Sequence, residues 1–153
     1  MRALNRLGAI AAAVGLTATL GVGAASTAHA TTSCGVIDIG LPGNLRMYGE
    51  YAGQVEQQYN TCTGRAWAHW QWADQFQRDH SGMQVAVGIY GWDSYPRWAW
   101  GDTGSKNIYS PSVDIHEVNP DTWQAQVNGT CDAWGSWHAY ADGRNWGESP
   151  GNC

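Results

Sequence analysis

The chain is poor in basic residues. Eight lysines and arginines stand against thirteen aspartates and glutamates, which gives a formal net charge of −5. Nucleic acids and anionic lipid surfaces are bound through clusters of positive charge. The balance therefore disfavours nucleic acid and a membrane surface as partners, and it favours solubility.

Phenylalanine is almost absent, and Leu and Ile are scarce after residue 31. Phe76 is the single phenylalanine, whereas the chain has ten tryptophans and seven tyrosines. Some tryptophans must therefore fill the core in place of aliphatic side chains. The others are free to be presented at the surface.

The spacings typical of metal sites are missing. No Cys-x-x-Cys pair and no EF-hand loop occur, and no two histidines stand at i, i+2 or i, i+4. Asp114, His116 and Glu117 would hold a metal only with distant partners, so we expect neither a metal nor another cofactor. Four serines in turn-like segments argue against a nucleophile triad: Ser81, Ser94, Ser105 and Ser110.

The N-terminal segment Met1–Ala30 has the pattern of a secretory signal peptide. Arg2 and Arg6 supply a positive start, and Leu7–Gly23 is uncharged and rich in Ala, Leu, Gly and Val. A transmembrane anchor is the alternative, but no stop-transfer charges follow the run. We expect a secreted, extracellular protein whose single domain covers 31–153.

Two segments show the alternation of β-strands. Met83–Trp92 places aliphatic side chains on one face, which favours packing on a core. Arg65–Trp72 alternates in the same way, although Trp67, Trp70 and Phe76 also fit a helical stripe, and Ala73–His80 fits either structure. The expected core faces are Met83, Val85, Val87 and Ile89 in the first segment and Ala66, Ala68, Trp70 and Trp72 in the second.

Turn residues divide the rest of the chain into short strands. Leu41–Asn44 predicts a turn, Asn119–Asp121 predicts a hairpin between Ser112–Val118 and Thr122–Val127, and Ala133–Ala141 predicts a last strand. No period of about 20–50 residues indicates repeats. The pattern predicts an all-β fold of six to eight short antiparallel strands, as a compact β-sandwich or small barrel.

The stretch Val55–His69, VEQQYNTCTGRAWAH, resembles the V-E-L-R-Y-S…C…W-A-R signature of an uncharacterised family of secreted actinobacterial domains. That family also has an earlier cysteine at a similar distance, which corresponds to Cys34. The resemblance covers about Cys34–Trp70 and implies a secreted, disulfide-bonded domain without indicating any chemistry. The departures are Gln57-Gln58 for Leu-Arg, Asn60 for Ser, His69 for Arg, and Cys62 one place earlier.

The four cysteines all follow the expected signal peptide. An even number in an exported chain indicates two disulfides more often than a metal site, and three pairings are possible. We expect neighbouring cysteines to pair, Cys34 with Cys62 and Cys131 with Cys153, and the resemblance supports the first pair only.

Gly91–Gly104, GWDSYPRWAWGDTG, predicts a loop crowded with aromatic residues. Such side chains either complete the core or stack on sugar rings and protein partners. We expect a non-catalytic module that binds carbohydrate or cell wall, and a protein-interaction module (inhibitor, toxin component or complex subunit) is the alternative. The candidate ligand-binding residues are Trp92, Tyr95, Trp98 and Trp100.

An enzyme is a third hypothesis. Asp93 or Asp102, beside the aromatic segment, would have to work with Glu117 as the paired carboxylates of a glycosidase. Acidic residues in glycine-rich turns are more often turn formers, so we name no catalytic residue.

Overall fold

The computed structural model describes residues 33–153 of the protein. The expected signal peptide, Met1–Ala30, lies outside the described residues. Within 33–153 the chain forms one α-helix, α1 (Asp74–Asp79), and a 3-10 helix at Ile115–Glu117. The strands are β1 (Val36–Met47), β2 (Glu50–Asn60), β3 (Arg65–Trp72), β4 (Gln84–Gly91), β5 (Arg97–Asp102), β6 (Asn107–Tyr109), β7 (Val113–Asp114), β8 (Thr122–Asn128), β9 (Asp132–Trp134), β10 (Trp137–Ala139), β11 (Asn145–Trp146) and β12 (Gly151–Asn152).

The strands assemble into two six-stranded sheets, which confirms the all-β prediction. The first sheet has the order β12-β1-β2-β3-β6, with β7 also paired to β3. The second has the order β11-β10-β8-β4-β5, with β9 also paired to β8. Their strand count exceeds the expected six to eight because half of the strands are only two or three residues long, too short to show alternation.

The core lies between the two sheets and uses the alternation that the sequence predicts. On β3, Ala66, Ala68, Trp70 and Trp72 are fully buried, and on β4 Val85, Val87 and Ile89 are fully buried. Both sets belong to one hydrophobic cluster. Each large apolar side chain buried in this way contributes on the order of 1.5–3 kcal/mol.

Tryptophan replaces the missing aliphatic residues in this core, as expected. Trp70, Trp72 and Trp123 are its largest buried side chains. The rings of Trp70 and Trp72 meet edge to face at 5.1 Å, and Phe76 of α1 stacks on Trp72 at 5.7 Å. The undecided segment Ala73–His80 is thus helical, because one helical turn carries Phe76 onto the core.

The predicted hairpin across Asn119–Asp121 is wrong. β7 pairs with β3 in the first sheet, whereas β8 lies in the second sheet. Between them, Asp114 and Glu117 form a capping box that starts the 3-10 helix. Trp123 then donates its indole N–H to the carbonyl of Ile115 at 2.9 Å. Capping chemistry therefore redirects the chain from one sheet to the other.

Three further segments differ from the sequence prediction. Leu41–Asn44 is a bulged part of β1 and not a turn, since the pairing register with β2 shifts between Ile39 and Gly43. Ala133–Ala141 is divided into β9 and β10 by a break at Gly135. The predicted loop Gly91–Gly104 contains the strand β5, which pairs with β4 along its full length, and only the residues on either side of β5 form turns.

The cysteines form the two expected disulfides, Cys34–Cys62 and Cys131–Cys153. The second disulfide ties down the C-terminal segment after β11. In this segment Ser149 bridges to Trp134 of the second sheet, and β12 then pairs with β1 of the first. Among residues 33–153 we find no helix with the length and apolar character that a membrane crossing requires.

Candidate binding face

Aromatic side chains are concentrated on the outward face of the second sheet. On β8, Trp123, Ala125 and Val127 point into the core. Gln124 and Gln126 alternate with them and therefore point outward. The strand register places six aromatic residues on the same outward side, and Trp92 joins them through its ring contact with Trp137. We call this surface of seven aromatic residues the aromatic face. They are Tyr90, Trp92, Trp98, Trp100, Trp134, Trp137 and Trp146.

One straight row crosses four strands of this face. Trp98 of β5 is the register partner of Gly88, Gly88 is the partner of Gln126, and Gln126 is the partner of Trp134. Three strand spacings separate the Cα atoms of Trp98 and Trp134, which is about 14 Å. The row therefore has an aromatic ring at each end and a hydrogen-bonding amide between them.

A second group of aromatics lies toward the other edge of the sheet. Tyr90 packs edge to face on Trp137 with ring centroids 5.8 Å apart, and Trp92 does so at 5.4 Å. Trp146 of β11 is the register partner of Trp137. These contacts fix the orientation of rings that remain partly open to solvent.

The exposed fractions show that the side chains of the aromatic face are not buried as part of a core. Trp100 is 74% exposed, Trp92 41%, and Trp134 and Trp146 38% each. Six of the ten tryptophans lie on this face, three lie in the core, and Trp67 lies on the outer side of the first sheet. Soluble proteins seldom expose so many large apolar side chains together unless the surface binds something.

Amide groups occupy the centre of the aromatic face. Gln126 donates to Oε1 of Gln124 at 3.1 Å. Gln124 is 3% exposed and donates to the carbonyl of Gly135 at 2.9 Å. Gln124 is thus held rigidly by the backbone between β9 and β10, and it orients Gln126, which reaches the surface.

The four residues selected from the sequence do not form one cluster. Trp98 and Trp100 lie side by side on β5, whereas Trp92 lies across the sheet against Trp137. Tyr95 is 94% exposed in the turn before β5 and lines a separate groove with Arg97 and Glu117.

Sequence reasoning did not select the other aromatics of this face as candidate ligand contacts. Tyr90, Trp134, Trp137 and Trp146 come from separate strands, and only pairing through β8 brings them together. Two of them had a sequence signal: Tyr90 alternates with Ile89 and Trp134 alternates with Ala133, which places both aromatics on the face opposite the core.

Two of the three candidate carboxylates, Glu117 and Asp102, have structural partners. Glu117 accepts a hydrogen bond from the guanidinium of Arg97 at 2.5 Å and also completes the capping box with Asp114. Asp102 accepts from the backbone N–H of Gly104 at 2.8 Å, as a turn former does. Within residues 33–153, no group of three or more acidic, His or Cys side chains is arranged to hold a metal ion.

Ser149 stands in the one Gly-x-Ser-x-Gly pattern of the chain, Gly147–Gly151, which the sequence argument against a nucleophile did not consider. A nucleophile elbow requires a strand, a sharp turn and a following helix. Here Ser149 exchanges two backbone hydrogen bonds with Trp134, and the short strand β12 follows it. Its position is that of an edge bridge and not of an elbow.

A carboxylate and a guanidinium lie at the rim of the aromatic face. The backbone N–H of Arg144 donates to Asp142 at 3.1 Å, and its Nε donates to the second carboxylate oxygen at 2.6 Å. The backbone hydrogen bond, followed by the one from the side chain, holds the pKa of Asp142 below its ordinary value. The carboxyl of Asp142 is therefore ionised at neutral pH, and its two hydrogen bonds from Arg144 define its geometry.

Comparison of the chain with protein-family models, with curated proteins and with solved structures finds no match in any of the three.

Proposed function

We propose that the mature chain is a secreted, non-catalytic module that binds polysaccharide through the aromatic face. The observation that carries this proposal is the presence of six tryptophans on one outward sheet surface. An indole offers a flat, apolar surface with one polar N–H, which suits the C–H face of a sugar ring. Because the sheet is continuous across the row from Trp98 to Trp134, the face is long enough for a polymer.

The amides between the indoles support the same ligand class. Gln126 is partly exposed beside Trp98 and Trp134, and a glutamine amide offers both donors and acceptors to hydroxyl groups. A protein-binding hot spot would be expected to have a dry, apolar centre. The polar centre of this face favours a hydroxylated ligand.

Secretion is part of the proposal. All four cysteines of the chain are joined in disulfides, which persist in oxidising compartments. The signal-like pattern of Met1–Ala30 adds to this. The resemblance of Val55–His69 to a secreted actinobacterial family agrees with the same location.

A protein partner is the second candidate, and Tyr95 favours it. This side chain is almost fully exposed at the tip of a turn, beside the ion pair of Arg97 and Glu117. A tyrosine with a neighbouring arginine is a frequent anchor combination in protein interfaces. Tyr95→Ala would abolish such an interaction without affecting glycan binding.

The test is depletion of the oxidised protein from solution by insoluble glycans: washed cell walls, chitin, cellulose and xylan. We expect loss of the wild type on at least one polymer, and binding at least about 30-fold weaker for Trp98→Ala with Trp100→Ala, since truncated anchors cost about 2 kcal/mol or more. Trp67→Ala is the matched control, because Trp67 lies on the outer side of the first sheet. Equal binding by all three proteins, or binding to none of the polymers, would refute the proposal for these glycans.

A further inference from the structure

A cleft lies at the edge of the aromatic face that is remote from β5. It has a volume of about 340 Å³ and includes the indoles of Trp92 and Trp146 in its lining. Thr122 and Ala139, which are register partners, form its buried floor. Pro120, Asp142 and Arg144 contribute to its edge. We call this site the Trp92–Trp146 cleft.

The cleft combines apolar walls with a charged rim. The indoles of Trp92 and Trp146 are each partly exposed, so their remaining surface is free for a ligand. The side chains of Asp142 and Arg144 are largely open to solvent, at 45% and 76%. A ligand with apolar faces and a hydroxylated edge can contact both the apolar walls and the charged rim. A pyranose ring has this character.

The charged pair at the rim is preorganised to bind hydroxyl groups. Asp142 is held by two hydrogen bonds from Arg144, through the backbone N–H and Nε. The terminal guanidinium nitrogens of Arg144 form no hydrogen bond within residues 33–153. They can donate to a ligand while the carboxylate accepts from a neighbouring hydroxyl, and hydrogen bonds to charged groups are the stronger ones.

The charged side chains that line the cleft favour a neutral ligand. The charges of Asp142 and Arg144 cancel, and the lining contains no other charged side chain. A phosphate or carboxylate ligand would need an unpaired cation, which this cleft does not provide. The volume lies at the lower end of the range for small-molecule sites, so one ring is the natural occupant.

Resting on the proposed glycan-binding function, we infer that the Trp92–Trp146 cleft binds one neutral pyranose unit of the glycan. The ring stacks on the indoles, and its hydroxyls are bound by Asp142 and Arg144. The site is separate from Trp98 and Trp100, which lie on the opposite edge strand of the sheet. The cleft therefore determines which sugar is accepted, whereas Trp98 and Trp100 strengthen binding to an extended chain.

Titration calorimetry with glucose, mannose, galactose, N-acetylglucosamine and their β1,4-linked disaccharides tests this assignment. We expect saturable binding of at least one sugar, and affinity at least tenfold weaker in both Asp142→Asn and Arg144→Gln. Both substitutions change exposed side chains, so the fold is retained, and near-UV circular dichroism checks it. Trp98→Ala with Trp100→Ala should bind the same small sugar as the wild type does.

The results of this calorimetry and of the polymer-binding test distinguish failure of the cleft assignment from failure of the proposed polysaccharide binding. Absence of saturable binding by every sugar tested, or equal affinity in Asp142→Asn and the wild type, would overturn the cleft assignment. If polymers still bind in that case, the aromatic face keeps its proposed function without the cleft. If small sugars bind but no polymer does, the cleft stands and the polysaccharide module does not.

Discussion

The indole of Trp98 lies directly over Gly88 of the neighbouring strand. A Cβ atom at position 88 would come within 2.3 Å of Cε3 of Trp98, far closer than atoms can approach. The two residues are cross-strand partners, so a side chain at position 88 would have to push the ring away from the sheet. Trp98 can therefore lie flat on the aromatic face only because Gly88 has no side chain.

Gly88→Ala should therefore lower the free energy of unfolding by about 1–3 kcal/mol, which is typical of overpacking. A decrease in the free energy of unfolding would be informative, because replacing Gly by Ala within a strand usually increases it by about 0.5–1 kcal/mol. Gly35→Ala is the control, since a Cβ there meets nothing within 4 Å. Urea denaturation measures both variants, and equal stability of the two would contradict the packing of Trp98 on Gly88.

The two disulfides should affect stability similarly but binding differently. They close segments of 22 and 28 residues, and each contributes about 3 kcal/mol by loop entropy. Cys131→Ser with Cys153→Ser also releases the end of the segment that carries Trp146. We expect this variant to lose affinity for small sugars, whereas Cys34→Ser with Cys62→Ser keeps it. Thermal unfolding and calorimetry below the unfolding temperature separate the two effects, and unchanged sugar affinity in both variants would exclude a role for the C-terminal tether.

A buried amide and a phenol form a coupled pair in the core. Gln57 is 2% exposed and donates to the hydroxyl of Tyr140 at 2.9 Å, while its Oε1 has no partner among the described residues. Burial raises the pKa of Tyr140, so its hydroxyl stays protonated at neutral pH. Tyr140→Phe should cost about 1–3 kcal/mol, because the amide of Gln57 then loses its partner.

Adding Gln57→Leu to Tyr140→Phe should recover most of that loss, since removing both partners is nearly neutral. A double-mutant cycle from denaturant unfolding measures the coupling. A double variant as unstable as the sum of the two single variants would show that the residues act independently.

The carboxyl of Asp142 should titrate at a lower pH than an unperturbed aspartate. Arg144→Gln removes the hydrogen bond from the guanidinium but keeps the stronger effect of the backbone N–H, so the pKa should return only part of the way. Because the folded pKa is the lower one, the stabilisation is present above the unfolded pKa, about 3.9, and is lost as pH falls through the folded value. Carboxyl-carbon NMR measures the two midpoints, and identical values would mean that Arg144 does not engage Asp142 in solution.

Local sequence predicted those parts of the fold in which one strand face is buried. The alternation on β3 and β4 identified their core residues correctly, because a shift of one residue would turn every side chain to the other face. The hairpin across Asn119–Asp121 was wrong for a related reason: alternation states which way side chains point but not which strand is the neighbour. In the structure, the capping box of Asp114 and Glu117 starts a 3-10 helix where the first strand of that hairpin was expected to continue.

Sequence by itself determined the all-β class, the tryptophan-filled core and the presence of paired cysteines. These follow from composition and from the two-residue period, which act over a few neighbouring residues. Only the tertiary structure decided that Trp98, Trp134 and Trp146 share one face, and that Asp142 and Arg144 lie beside Trp92. The physical reason is that pairing between strands distant in sequence depends on the total burial of both sheets, which no short segment specifies.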